Sequence, residues 1–153
     1  MSSTLPAPEP VRLSPDGRDP ADAEDLEYLV FSDPWTRGML SAAFSAPETI
    51  ALGVRQDVLL SGLALFRVMA DEAEILRLAV HPQMRRLGLG SLLLARGLTL
   101  ARGRGALRAY LEVREGNATA LAFYARRGFH RVGLRPGYYA GSGEAALVLA
   151  RDI

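Results

Sequence analysis

An apolar stretch from Glu74 to Val80 is cut off by His81-Pro82. It is followed by Arg85-Arg86-Leu87-Gly88-Leu89-Gly90-Ser91, from which a leucine-rich stretch runs to Arg102. Leu76, Leu78 and Val80 recur at the two-residue period of a strand and are expected to share one face. Leu92, Leu93, Leu94, Leu98 and Leu100 spread over a wide arc, which predicts a helix covered by protein on most sides. Gly103 and Gly105 end it. A strand that turns through glycines into a buried helix commits the chain to helices layered on a sheet. A further strand from Leu107 to Val113 then implies at least one parallel crossover.

The remaining elements follow from caps and turns. Met1 to Pro10 is rich in Ser and Pro and is expected to be a flexible tail, leaving 11–153 as one domain. A short strand is expected near Val11 to Leu13. Asp19-Pro20 has the form of an N-cap with proline at the first helical position, opening a helix to about Phe31. Asp33-Pro34 repeats that signal for a helix from Trp35 to Phe44. Strands are expected over Thr49 to Val54, Val58 to Val68 and Glu74 to Val80. Asn117 caps a helix through Tyr124 to Arg127, Gly128 takes the left-handed position after it, and Phe129 supplies the hydrophobic contact. Two last strands fall near Phe129 to Leu134 and Ala145 to Ala150. The fold class is α/β or α+β, with a mixed sheet.

Composition closes off several chemistries. The 153 residues carry 18 basic and 17 acidic groups, a net charge of +1, so no basic surplus points to nucleic acid as a partner. The apolar runs are too short to span a bilayer, and no leader-like segment opens the chain, so a cytoplasmic protein is expected. There is no cysteine and only His81 and His130 are histidines, which removes thiolate chemistry and makes a metal site an unlikely expectation. Catalysis must rest on Glu, Tyr, Arg and backbone amides. All 18 basic residues are arginine, and Asn117 is the sole asparagine.

The loop from Arg85 to Ser91 aims backbone N–H groups and the positive end of a helix dipole at one place, with room for a pyrophosphate against Gly88 and Gly90. Arg85 and Arg86 would add charge-assisted hydrogen bonds. A plain strand-to-helix turn would carry the same glycines. A P-loop is excluded, since it needs a lysine. A dinucleotide-binding turn is weakened, because Leu93 stands where its third glycine belongs.

Arg85-x-x-Gly88-x-Gly90 after Leu78-Ala79-Val80 resembles the coenzyme A loop of the GCN5-related N-acetyltransferases, the GNAT superfamily. Asn117-Ala-Thr-Ala-Leu-Ala-Phe-Tyr124-Ala-Arg-Arg-Gly-Phe129 is similar to that family's second block. Asp33-Pro34-Trp35-Thr36, Leu111-Glu112-Val113-Arg114 and Tyr138-Tyr139 resemble its RimI-type branch, the ribosomal-protein-alanine acetyltransferases. His81, Glu115-Gly116 and Ala140 depart from the pattern, the last near the expected peptide groove.

The resemblance implies a GNAT fold, a mixed and mostly antiparallel sheet with splayed parallel strands. It implies acetyl-CoA as cosubstrate, no metal, and direct attack of a neutral amine on the thioester. The acceptor would be a protein N-terminus, in particular the N-terminal alanine of a ribosomal protein. Neither nucleic acid nor membrane is implied as a partner, and the chain would be a monomer or weak homodimer. Glu112 would be the base. An α-amine, with pKa near 8, is about a tenth neutral at pH 7 and so is far easier to deprotonate than a lysine side chain. Tyr124 would protonate the leaving thiolate. The backbone at Leu78, Ala79 and Val80 would hold the pantetheine arm, if the strands there splay and leave N–H groups unpaired. Arg85, Arg86, Leu87, Gly88, Leu89, Gly90 and Ser91 would take the pyrophosphate, and Asn117 would combine its cap with a cofactor contact. Trp35, Tyr138 and Tyr139, with Glu112, would line the peptide groove.

From spacing alone, Glu112 is equally a surface carboxylate paired with Arg114 or another arginine, and Tyr124 a core aromatic beside Phe123. A small amine, an antibiotic or a lysine side chain remains open as acceptor. So does a non-catalytic acyl-CoA-binding module.

Overall fold

A computed structural model describes residues 8–153; the first seven residues of the expected tail lie outside the described part. The elements are β1 (Val11–Arg12), α1 (Asp19–Val30), α2 (Arg37–Ser45), β2 (Thr49–Gln56), β3 (Leu59–Met69), β4 (Glu72–Val80), α3 (Leu89–Gly103), β5 (Arg108–Arg114), α4 (Ala118–Ala125), β6 (His130–Arg135) and β7 (Ala146–Asp152). The seven strands form one sheet in the order β1-β2-β3-β4-β5-β7-β6. All neighbours are antiparallel except β4 and β5, which α3 joins in parallel. This is the mixed α/β sheet expected from the sequence, with its crossover in the expected place.

Two apolar layers hold it together. α1 and α2 cover one face through Ala23, Leu26, Leu40 and Phe44, which pack on Ala51, Leu63, Leu65 and Ala79. α3 and α4 cover the other through Leu89, Leu93, Leu94, Leu98 and Tyr124, packed on Ile50, Ala64, Phe66, Ile75 and Leu111. Gly97 lets α3 lie directly on Phe66; a Cβ there would fall 2.0 Å from the ring. α3 is nevertheless covered along one side only: Leu100 is 40% exposed, Ala95 and Thr99 face solvent, and Leu92 is half-buried. The arc of leucines overstates its burial because apolar residues are also common on free surfaces.

The helix starts depart from the sequence reading. Arg18 precedes α1 without a side-chain cap, and Asp19 instead accepts from the Ser14 amide and pairs with Arg55. For α2 the cap is Thr36, whose hydroxyl accepts from the Met39 amide at 3.2 Å. Asp33-Pro34 lies in the linker before it, so this helix begins at Arg37.

β4 breaks its own period. Leu65 pairs with Arg77 and Phe66 with Ile75, which leaves Leu76 as the extra residue of a β-bulge. Ile75, Leu78 and Val80 therefore pack toward α3, whereas Leu76 packs with the α1 and α2 layer. The expectation that Leu76, Leu78 and Val80 share a face fails for Leu76, because one inserted residue reverses the alternation. Among the described residues no helix is long and apolar enough to cross a membrane.

Candidate active site

β4 and β5 pair only through Glu72–Arg108, Ala73–Ala109 and Glu74–Tyr110. Beyond Glu74 they diverge, and a cleft of about 330 Å³ opens between them. The His81 amide donates to the Ser61 carbonyl at 2.7 Å, continuing the ladder to β3. Alternation then turns Ala79 toward β3 and leaves Leu78 and Val80 with their N–H groups on the splayed side, without a strand to bond. Free amides of this kind are what an extended ligand arm or a developing oxyanion can use.

The cleft passes through the sheet and draws side chains from both layers. Along β5, Leu111 and Val113 point into the α3 and α4 layer, so Glu112 and Arg114 point to the opposite face. Glu112 is 17% exposed and pairs with Arg135 on β6, Nε to Oε1 3.2 Å. Glu112 also pushes the Tyr138 phenol above its ordinary value, first through hydrogen bonding and then through charge. Tyr138 and Tyr139 meet edge to face in the loop before β7. Arg114 lies 3.8 Å over the Tyr139 ring and 3.4 Å from Glu144, whose other oxygen accepts from the Gly116 amide. These contacts tie the tyrosine loop to the end of β5.

Tyr124 reaches the same cleft from the other layer. Asn117 Oδ1 caps α4 by accepting from the Ala120 amide at 3.1 Å. The chain leaves the helix through a Schellman turn, in which the Phe129 amide donates to the Tyr124 carbonyl and that of Gly128 to Ala125. Gly128 has φ 85°, as that turn requires. The Tyr124 ring is wedged edge to face between Phe123 and Phe129. Burial pushes its phenol far above the ordinary value, with Arg127 opposing weakly. Among the described residues no buried side-chain oxygen or nitrogen is left unpaired, and the Tyr124 hydroxyl opens on the cleft.

At the far end of β4 the chain makes a short 3₁₀ turn, Pro82–Met84, and then the exposed loop Arg85–Gly88. Arg86 has φ 66° and Gly88 φ 79°, and Gly88 opens α3 with no side-chain cap. The first amides of a 15-residue helix are thus left facing out between two arginines, neither of which has a carboxylate within 4 Å among the described residues. Ser91 differs from its neighbours, since its hydroxyl accepts from Arg127 and links α3 to the turn after α4.

The chain matches the model of the acetyltransferase (GNAT) family over residues 19–129. It belongs to the GNAT acetyltransferase family. It is 38% identical over 141 residues to the N-alpha-acetyltransferase RimI of Mycobacterium tuberculosis, with 86% of this chain and 87% of that one covered. It is 36% identical over 133 residues to the ribosomal protein bS18-alanine N-acetyltransferase of Salmonella typhimurium, covering 86% and 89%. The crystal structure of the ribosomal-protein-S18-alanine N-acetyltransferase from Escherichia coli superposes with a TM-score of 0.85 at 28% identity, covering 95% and 94%. The chain is an N-acetyltransferase that draws on acetyl-CoA, the cosubstrate of the GNAT family.

Of the residues singled out from the sequence, Leu78, Glu112, Asn117, Tyr124, Tyr138 and Tyr139 share the cleft of this GNAT domain. Val80 and the Arg85–Ser91 turn follow along the chain from Leu78 and do not line the cleft. Trp35 does not line it; the ring is half-buried in the α1 and α2 layer, and Phe31 and Asp33 from the same linker stand at the wall instead. Sequence reasoning also passed over Arg77 and Glu27. The signal for Glu27 was present, since it shares a helical face with Ala23 and Leu26, where a charge needs a partner.

Proposed function

We propose that this chain transfers the acetyl group of acetyl-CoA to the α-amine of a protein N-terminus, the N-terminal alanine of a ribosomal protein being the acceptor the RimI-type relatives suggest. The observation that carries the reading is a cleft entered from both faces of the sheet, with the Glu112 carboxylate and the buried Tyr124 phenol on opposite sides of the splay. Three tasks divide among them. The pyrophosphate of acetyl-CoA lies on the Arg85–Ser91 turn and the α3 N-terminus, where N–H groups and the helix dipole favour an anion. Its pantetheine arm runs along the unpaired side of β4 toward Leu78, which brings the thioester between the strands. The acceptor comes from the α1 and α2 face, between the Phe31–Asp33 linker and the Tyr138-Tyr139 pair.

There Glu112 takes the proton of the attacking amine, directly or through a water, while the Leu78 and Val80 amides bond the developing oxyanion. The C–N bond forms, the tetrahedral carbon expels the CoA sulfur, and Tyr124 donates to that sulfur as the C–S bond breaks. A cleft of about 330 Å³ with the Tyr138 and Tyr139 rings and Phe31 in its lining supports a chain terminus as acceptor. The test is a comparison of kcat/KM for a peptide beginning with free alanine against spermidine as a small amine. The reading expects the peptide to be preferred by about 10²-fold or more, about 3 kcal/mol of transition-state binding. Equal or reversed preference would move the acceptor to small amines.

A further inference from the structure

On the acceptor side the cleft wall rests on an ion pair that the transfer chemistry does not use. Glu27 of α1 is completely buried and Arg77 of β4 is 11% exposed. Arg77 Nε lies 3.1 Å from both Glu27 oxygens, and its Nη2 also donates to Oε1. Among the described residues, the other side-chain hydrogen bonds and ring contacts of this pair go to the linker between α1 and α2. Glu27 Oε1 accepts from the Trp35 amide at 2.8 Å. The guanidinium stacks 3.8 Å over Phe31 and 5.3 Å from Trp35, and its Nη2 lies 3.4 Å from the Asp33 carbonyl.

A buried ion pair is a poor source of stability, since its desolvation offsets most of its attraction. What it does supply is geometry: a planar fork fixed by two carboxylate oxygens presents one flat face to an aromatic ring. The bulge at Leu76 is what sends Arg77 to this face; without the extra residue it would point toward α3. One irregularity in β4, two residues past the last pair with β5, therefore places the group that builds the cleft wall.

We infer that Arg77, held by Glu27, is a positioning residue for the acceptor, fixing the Phe31–Trp35 linker against which the acceptor's chain end is seated. This rests on the acceptor reading above. Arg77 lines the cleft itself and holds Phe31 and Asp33 beside it, on the face of the sheet opposite Tyr124 and away from the Arg85–Ser91 turn. Its loss therefore alters the seating of the peptide and leaves that of acetyl-CoA alone.

The experiment is steady-state kinetics in both substrates, with a free-alanine peptide, for wild type, Arg77→Lys and the double variant Glu27→Met/Arg77→Met. The double variant replaces the pair by apolar side chains and leaves no buried charge, and Arg77→Lys keeps the charge but loses the fork. Both should raise the peptide KM by about tenfold or more, because an ångström of misplacement costs on the order of 10²-fold. The KM for acetyl-CoA should stay at the wild-type value. An unchanged peptide KM in both variants, or a parallel rise of both KM values, would overturn the positioning role. Wild-type silence on free-alanine peptides, with acetyl-CoA still bound, would instead overturn the acceptor reading and this inference with it.

Discussion

Burial pushes the Tyr124 phenol well above its ordinary value, so in the proposed reaction it would act as a neutral hydrogen-bond donor. Complete transfer of its proton to a thiolate, whose thiol titrates near 8.5, is uphill by at least about 2 kcal/mol. In the proposed mechanism its strongest contribution would therefore be a hydrogen bond to sulfur while charge is building, with the proton following as the bond breaks. Because the hydroxyl opens on the cleft, Tyr124→Phe removes that donation and little else. The variant should lose about 10²-fold in kcat, the scale of a general acid, while its dissociation constant for CoA and its melting temperature stay put. Glu112→Gln should lose a comparable factor in kcat/KM. Wild-type turnover in either, measured by release of CoA, would remove the assigned role. The raised phenol also has a stability consequence. Above about pH 10 the unfolded chain releases a proton that the fold retains, so stability falls as pH rises. Tyr110, Tyr138 and Tyr139 are raised as well, so urea unfolding should show a smaller alkaline loss in Tyr124→Phe, though not its absence. An identical loss in the variant would contradict the burial argument.

Among the elements, α4 shows how a local signal sets a catalytic position. Asn117 begins it and Gly128 ends the turn after it, and both were legible because caps are read from a few neighbouring residues. Asn117→Ala should cost about 1 kcal/mol, a fall of about 2–4 °C in melting temperature. Asn117→Asp should keep the cap and the melting temperature, yet raise the KM for acetyl-CoA by placing a negative charge beside a polyanion. If Asp and Ala behave alike in both measurements, the cap and the cofactor contact are not separate roles. Strands and helices were legible in the same way, from period and punctuation. The bulge at Leu76 was not, since an inserted residue is defined by the partner strand and leaves no mark on its own. Asp33-Pro34 reads as the start of α2, yet the hydroxyl that caps it is that of Thr36, and the Trp35 amide between them is taken by Glu27. Trp35 was placed in the groove by the family resemblance, whereas Arg77 and Glu27, separated by 50 positions, draw the linker so that Phe31 and Asp33 take the wall.

For the whole molecule, the proposed mechanism divides the reaction between two layers of the sheet. The α3 and α4 side holds Tyr124 and the turn proposed for the phosphates; the α1 and α2 side holds the wall proposed for the acceptor, and Glu112 points toward it across the splay. Charge follows that division: among the described residues Arg85 and Arg86 have no carboxylate within 4 Å, while Arg77 and Arg114 pair with Glu27 and Glu144. Arg86→Ala should weaken acetyl-CoA binding, with a smaller loss at high salt because exposed charges are screened within about 10 Å at 0.1 M. An unchanged dissociation constant by calorimetry would count against the turn as the anion site. The account as a whole turns on the α-amine as acceptor. The direct test is mass spectrometry of acetyl transfer from acetyl-CoA to two peptides, one with a free N-terminal alanine and one with a blocked N-terminus and an internal lysine. The account predicts a gain of a single acetyl group on the first peptide and none on the second. Acetylation of the lysine peptide with the first left untouched would contradict it.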